Sequence, residues 1–327
     1  MRRTIFSIIA AISLVATATA CGAPGSDSTD GAFDPGSAEM VIPFNPGGGV
    51  DLAGRTIAQN LKDVGAVDRA MQITNLPGGS GGIGMNKMEG TYAGESNVLM
   101  TIATHVVTTP IQQGEELDIA RMTPLARMYS EYGIVAVAKD SPLKSLTDLS
   151  ESLKSDPKAT KIGGGSAGSI DEILTRALGR ELGIPPEDLI YIPYDGGGAV
   201  AALLGGNLDV MVGGFDFLDL IKAGEIRALG VAAPEQLAGP LADIPTFKDQ
   251  GLDIEVANWR GVFGPKDMPE AAGRYWKEQL KKVSTSTAWK GFLEKNNFID
   301  DFQADGFSDF IVQQDTEFRE ALLGKTG

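Results

Sequence analysis

The chain has 327 residues, with 28 Lys and Arg against 43 Asp and Glu, a formal net charge of −15, one Cys and one His. The acidic balance argues against a nucleic-acid-binding protein, which needs a basic stripe to release counterions from phosphates. One Cys excludes an intramolecular disulfide and one His excludes a protein-only His cluster for a metal, while the length leaves room for two domains with their own cores.

Met1-Arg2-Arg3 is a basic start, residues 5–18 are apolar, and the small residues Ala18-Thr19-Ala20 stand directly before Cys21. The apolar run falls short of the ~20 residues of a membrane span, so residues 1–20 are expected to be a secretory signal peptide. A sole Cys at that point matches a lipoprotein signal, in which Cys21 becomes the lipidated first residue; a free thiol in a secreted protein is the alternative. Cleavage there removes Arg2 and Arg3 and leaves a still more acidic chain. Residues 21–37 are dominated by Gly, Pro, Ser and Asp, a composition that buries little apolar surface and reads as a flexible tether.

Beyond the tether, short apolar runs alternate with helical patterns. Strands are expected at residues 40–44, 71–75, 98–103, 133–138, 189–193, 208–212 and 226–232. Helices are expected at 51–64, 84–92, 146–155, 170–182, 199–204 and 270–283, with a last one over about 306–323. This alternation predicts an α/β fold with largely parallel sheets. In the 170–182 segment, Ile170, Ile173, Leu174, Ala177 and Leu178 follow the spacing of a buried helical stripe. Ser169 and Glu172 are expected to form a capping box before it.

The 42 glycines, about an eighth of the chain, are concentrated at strand-to-helix junctions. Four clusters stand out: Pro46-Gly47-Gly48-Gly49, the 77–84 segment containing Ser80, the 163–169 segment containing Gly164, Gly165, Ser166 and Ser169, and Asp195-Gly196-Gly197-Gly198. Glycine lets backbone approach a ligand closely, and a helix N-terminus offers unpaired N–H groups and partial positive charge. Together they make an anion site without Lys or Arg, and in open α/β sheets such loops lie at the strand carboxyl ends where ligands bind. The four loops are therefore expected to converge on one anionic ligand; tight βα turns are the plainer reading of any one of them. Ser80, Thr104, Ser166 and Tyr194 are candidate hydroxyl donors. His105 either lines the cleft or is structural. Trp259 either packs on a ligand or sits in the core. Asp51 is either an N-cap-like residue or a contact to a ligand donor.

Enzyme motifs fail on their partners. Gly79-x-Gly81-x-x-Gly84 and Gly163-x-Gly165-x-x-Gly168 fit the dinucleotide fingerprint, but neither has an acidic residue at the end of the following strand. Gly78-x-Ser80-x-Gly82 and Gly164-x-Ser166-x-Gly168 fit the nucleophile elbow, yet His105, the sole His, precedes Ser166, and no acid lies between Glu95 and His105 to serve Ser80. No Walker pattern is present.

Several ordered segments carry a family resemblance: Val41-Ile-Pro-Phe-Asn-Pro-Gly-Gly-Gly-Val-Asp51, Asn75-Leu-Pro-Gly-Gly-Ser-Gly-Gly-Ile-Gly84, the 191–211 segment with Tyr194-Asp-Gly-Gly-Gly198, Ile244-Pro-Thr-Phe247 and Trp259-Arg-Gly-Val-Phe-Gly-Pro265. In these the chain resembles the substrate-binding proteins of tripartite tricarboxylate transporters, the Bug or TctC family, over roughly residues 40–283. The resemblance implies a two-domain, type II periplasmic-binding-protein-like Venus flytrap, with one domain over 38–138 plus 257–327 and the other over 139–256. The chain would cross the hinge near Lys139 and near Val256. Together with the Cys21 signal the resemblance points to an extracytoplasmic, membrane-anchored monomer, not an enzyme, that needs no cofactor or metal. Such a protein binds a small organic carboxylate and delivers it to the integral membrane subunits of the transporter. The family's gripping loops carry over onto Pro46, Gly47, Gly48, Gly49 and Asp51 and onto Gly164, Gly165, Ser166 and Ser169, with Gly197 and Gly198 alongside. Two alternatives stay open: a ligand-binding input to a sensor kinase, and a Gly-loop hydrolase or nucleotide-dependent enzyme.

Overall fold

The computed structural model describes residues 35–165, 167–194 and 198–323. The expected signal peptide, Cys21, most of the tether, Ser166 and Gly197 lie outside these residues. The chain first makes β1 (Glu39–Ile42), α1 (Gly49–Asp63), β2 (Gln72–Asn75), α2 (Gly82–Glu89), β3 (Val98–Ala103), α3 (His105–Gln113) and β4 (Met122–Tyr132). It continues through β5 (Ile134–Ala138), α4 (Leu146–Ser155), β6 (Ile162–Gly164), α5 (Ile170–Glu181), β7 (Tyr191–Pro193), α6 (Gly198–Leu204), β8 (Val210–Gly213), α7 (Leu218–Lys222) and β9 (Ile226–Val231). It ends in β10 (Ala257–Pro265), α8 (Glu270–Thr285), α9 (Thr287–Asn296), β11 (Ile299–Gln303) and α10 (Phe307–Leu323).

These strands form two sheets, one of order β11-β4-β10-β3-β1-β2 and one of order β7-β6-β8-β5-β9. Each sheet holds a parallel trio, β2-β1-β3 or β7-β6-β8, followed by an antiparallel strand that enters from a crossing, β10 or β5. The two lobes thus repeat one plan. β3 is buried at every residue, as a strand covered on both faces must be. The stripe of α1 buries Val50, Ala53, Ile57 and Leu61 against the first sheet, and that of α5 buries Ile170, Ile173, Leu174, Ala177 and Leu178. Trp276 of α8 fills the first lobe's core and donates through Nε1 to Ser96 O at 2.8 Å.

The crossings correct one boundary. β5, which a division at 138/139 leaves in the first domain, pairs with β8 and β9 of the second sheet. The first crossing therefore falls at Gly133, the one residue between β4 and β5. The two crossings are stitched together there. Gly133 O accepts from Ala232 N at 2.8 Å, Ala232 O from Val256 N at 3.0 Å, and Gly133 N donates to Val256 O at 3.4 Å. A Cβ on Gly133 would lie 2.5 Å from Cδ2 of Leu174, a side chain fully buried on α5. Gly133→Ala is expected to destabilise the protein by about 1–3 kcal/mol through overpacking, read as a lower urea midpoint; an unchanged midpoint would show that the hinge tolerates a wedge.

Among the described residues no helix is long and apolar enough to cross a membrane.

Candidate functional site

The carboxyl ends of the inner parallel strands of both sheets face a common cleft of about 650 Å³. Gly49 at the start of α1, Thr104 and His105 at the start of α3, Gly165, Ser169, Ile170 and Asp171 at the start of α5, and Gly214, Phe215 and Leu218 before and within α7 all contribute to its lining. These loops follow β1, β3, β6 and β8. In both sheets the strand order reverses beside β1 or β6, and the crevice at such a switch point is where ligands seat. β2 is an edge strand, so the loop after it is carried away. This corrects the expectation of convergence for the 77–84 cluster. Gly49 of the first loop and Gly165 and Ser169 of the third meet in the cleft, whereas the 77–84 loop lies outside it; residues 195–197 of the fourth cluster lie outside the described residues.

Of the expected site residues, Gly49, Thr104, His105, Gly165 and Ser169 line the cleft. Pro46, Gly47 and Gly48 form the exposed approach to α1. Gly164 is buried, and a Cβ there would meet Val212 O at 2.6 Å. Ser80 lies in the β2–α2 loop, where its carbonyl accepts from Thr109 Oγ1 at 2.8 Å. Tyr194 donates its backbone N–H to Gly164 O at 2.9 Å, and Gly198 begins α6 beneath the Tyr194 ring. Trp259 is fully buried, edge-on to Phe307 and Phe310 in the core, and does not line the cleft.

Acidic residues in the first helical turns clip both loops. Asp51 Oδ2 accepts from Gly47 N and Arg55 Nε, each at 2.9 Å, and Oδ1 from Asn75 Nδ2 at 2.9 Å. Burial works to raise its pKa, but these donors outweigh it and hold the carboxyl at about 2. Asp51 is thus a loop clip with both oxygens engaged. In the second lobe Asp171 Oδ2 accepts from Gly165 N and Glu172 Oε2 from Gly168 N, both at 2.7 Å. Glu172 also takes Arg176 Nη2 at 2.8 Å. The expected capping box is therefore shifted by one residue: Glu172 closes on Gly168, and the Ser169 hydroxyl makes no cap bond. Asp51 and Glu172 occupy the same helical position, each taking the N–H just before its N-cap. The amides of Gly47, Gly165 and Gly168 are consumed by these clips. The donors left for an anion are the first-turn N–H groups of α1 and α5 and those of His105 and Val106 in α3, since Val107 N–H is taken by Thr104 O at 2.9 Å.

The cleft also holds charged residues that the expected set did not contain. Arg260 on β10 and Glu131 on β4 are 7% and 8% exposed. Arg260 Nη2 donates to Glu131 Oε1 at 3.2 Å and Nη1 to Asn258 Oδ1 at 2.7 Å; Asn258 Nδ2 donates to Glu131 Oε1 at 3.0 Å. Glu131 Oε2 accepts from Phe215 N of the second lobe at 3.3 Å. Gly214 permits this approach, because a Cβ there would stand 2.7 Å from Oε2. The pair therefore ties the two lobes at the cleft. The His105 ring stands 4.6 Å from the Phe44 ring. Burial, helped by the nearby Arg260 charge, brings its pKa down to about 4, so the ring is neutral at pH 7. Lys222, Lys295, Asp171 and Asp219 complete the charged lining.

A sequence model described as the tripartite tricarboxylate transporter family receptor matches residues 54–325. A UPF0065 protein in the gbd 5′ region of Cupriavidus necator is 26% identical over 302 residues, covering 90% of this chain and 89% of the relative. MatC from Rhodopseudomonas palustris, solved with bound malate, shares the fold at a TM-score of 0.70 and 19% identity, over 89% of this chain and all of that one. A second R. palustris protein, solved with adipate, shares it at a TM-score of 0.73 and 20% identity, over 88% of this chain and 96% of that one.

Proposed function

This chain belongs to the tripartite tricarboxylate transporter receptor family, a family of extracytoplasmic solute-binding proteins rather than enzymes, and on that premise we propose that it captures a small organic carboxylate between its two lobes. The first-turn amides of α1, α3 and α5 grip the carboxylate, Thr104 and Ser169 add hydroxyls, and closure about Gly133 and the 232–256 crossing buries the ligand. The closed form is then presented to the membrane subunits of a tripartite tricarboxylate-type transporter, with Cys21 carrying the lipid anchor. The observation that carries this reading is the convergence of three helix N-termini on one cleft between the sheets. The malate and adipate held by proteins of the same fold support it.

A thermal-shift screen against organic acids tests the reading. An acid at a hundred times its Kd adds about 2.7 kcal/mol to stability; no response to any carboxylate would sink it. Gly48→Val then probes the grip. Gly48 is exposed, has φ −83°, and has nothing within 4 Å of an added Cβ. The valine should leave the melting temperature of the unliganded protein unchanged while abolishing the shift, because its branches stand at the mouth of α1. Gly165→Val should lose both, since its Cβ would meet Asp171 Oδ2 at 3.0 Å and open the clip.

A further inference from the structure

β10 runs between β4 and β3, and its side chains alternate between faces. Asn258 and Arg260 share one face, and Trp259 takes the other. Arg260 stands opposite Ala103, the residue before Thr104 and His105, which places its guanidinium beside the α3 N-terminus. A guanidinium is planar, with five N–H groups in fixed directions. In Arg260 the Nη end is occupied by Asn258 and Glu131, which are themselves joined, and these three bonds fix the plane of the group. The other edge is different. Nε–H is buried and has no hydrogen-bond partner among the described residues, and one Nη2 hydrogen lies on the same edge. Buried polar groups are paired in the great majority of cases, so this orphan donor calls for a partner. Two parallel N–H groups on one edge match the two oxygens of a carboxylate. Nη2 is also 3.3 Å from the point where a Gly49 Cβ would be, so the guanidinium and the first turn of α1 address the same spot.

We propose that the free Nε–Nη2 edge of Arg260 is a side-chain clamp for one carboxylate of the ligand, and that Glu131 and Asn258 are positioning residues that orient it. The proposal rests on the carboxylate reading of the cleft and adds a bidentate side-chain contact to the backbone grip. It makes the site selective for planar oxyanions and places one carboxyl group of the ligand between α1 and α3.

Calorimetric titration with malate, adipate and citrate, on the wild type, Arg260→Lys and the double variant Arg260→Gln/Glu131→Gln, tests it. Lysine keeps the charge and lacks the edge, so affinity for the acid that the wild type binds should fall about 100-fold, the size of effect seen when a buried charged contact is truncated. The double variant removes both charges together, leaves no unpaired ion in the interior, and should lose at least as much. A structural role alone would lower the unfolding midpoint of the variants and leave the affinity unchanged. In the wild type, the arginine Nε–H NMR cross-peak that is missing from Arg260→Lys should shift on saturation with the acid. Wild-type affinity in Arg260→Lys, or a cross-peak that does not move, overturns the clamp while the carboxylate reading stands. A wild type that binds none of the three acids overturns both. Should the double variant fail to fold, the lysine variant and the cross-peak decide.

Discussion

Replacing Glu131 with alanine is expected to lower the unfolding free energy by about 3–5 kcal/mol, the usual consequence of removing one partner from a buried ion pair. The carboxylate accepts from Arg260, Asn258 and Phe215. Its loss strands a cation and two N–H donors where water has little access. Against a total stability of about 5–15 kcal/mol for a folded domain, this is a large fraction. The effect should not be read as the net worth of the pair. Desolvation of two charges offsets most of their attraction, so removing both together should be far milder. The expected order of urea midpoints is therefore wild type, then Arg260→Gln/Glu131→Gln, then Glu131→Ala. A Glu131→Ala loss under about 1 kcal/mol, the level of a solvent-exposed pair, would show that the interior reaches water readily and that the lobes are not tied there. Because Glu131 Oε2 is bonded to Phe215 in the second lobe, the same variant should also loosen the hinge.

The α/β alternation and the loops that build the cleft were legible in the sequence because strand ends followed by glycine and a helical stripe leave an unmistakable local pattern. β3, α4 and α5 fall where their apolar spacing places them. β4 and β10 are not legible as strands, for a shared physical reason: each carries a buried charge, Glu131 or Arg260, and β10 also carries Gly261, so the apolar run is broken where the strands line the cleft. α3 was hidden by its β-branched residues and by Pro110, and it forms because its Val106, Val107 and Ile111 are buried. The cleft's charged pair is hidden with those strands. In Asn258-Trp259-Arg260 the aromatic residue is the conspicuous one in sequence. Strand parity reverses that choice: once β10 is a strand with Trp259 in the core, its two neighbours must face the other way, and Glu131 lies directly opposite Asn258. Which glycine loops meet was not readable either, since it depends on strand order, and order is set by pairing across the sheet.

Lowering the pH from 7 to 4 is expected to remove about 3 kcal/mol of stability through His105 alone, the only His in the chain. In the fold its Nδ1 is buried without a partner among the described residues. The ring opens α3, where the positive end of the helix dipole disfavours a further cation, and Arg260 is close by. Burial and that charge bring its pKa down to about 4, whereas an unfolded chain holds histidine at about 6.5. As pH falls below 6.5 the unfolded state takes up a proton that the folded state refuses, so the equilibrium moves toward unfolding. The loss accumulates down to about pH 4 and stops there, because below that value both states are protonated. Carboxylates titrate in the lower part of the same range, so wild-type stability alone does not isolate the effect. His105→Gln keeps a polar side chain of similar reach and cannot titrate. The difference between the two stability curves should be flat above pH 7 and shift by about 3 kcal/mol against the wild type by pH 4. Parallel curves across that window would mean that the ring is solvated and ordinary. In that case the α3 N-terminus would not be the dry, positively polarised surface that the proposed carboxylate grip requires.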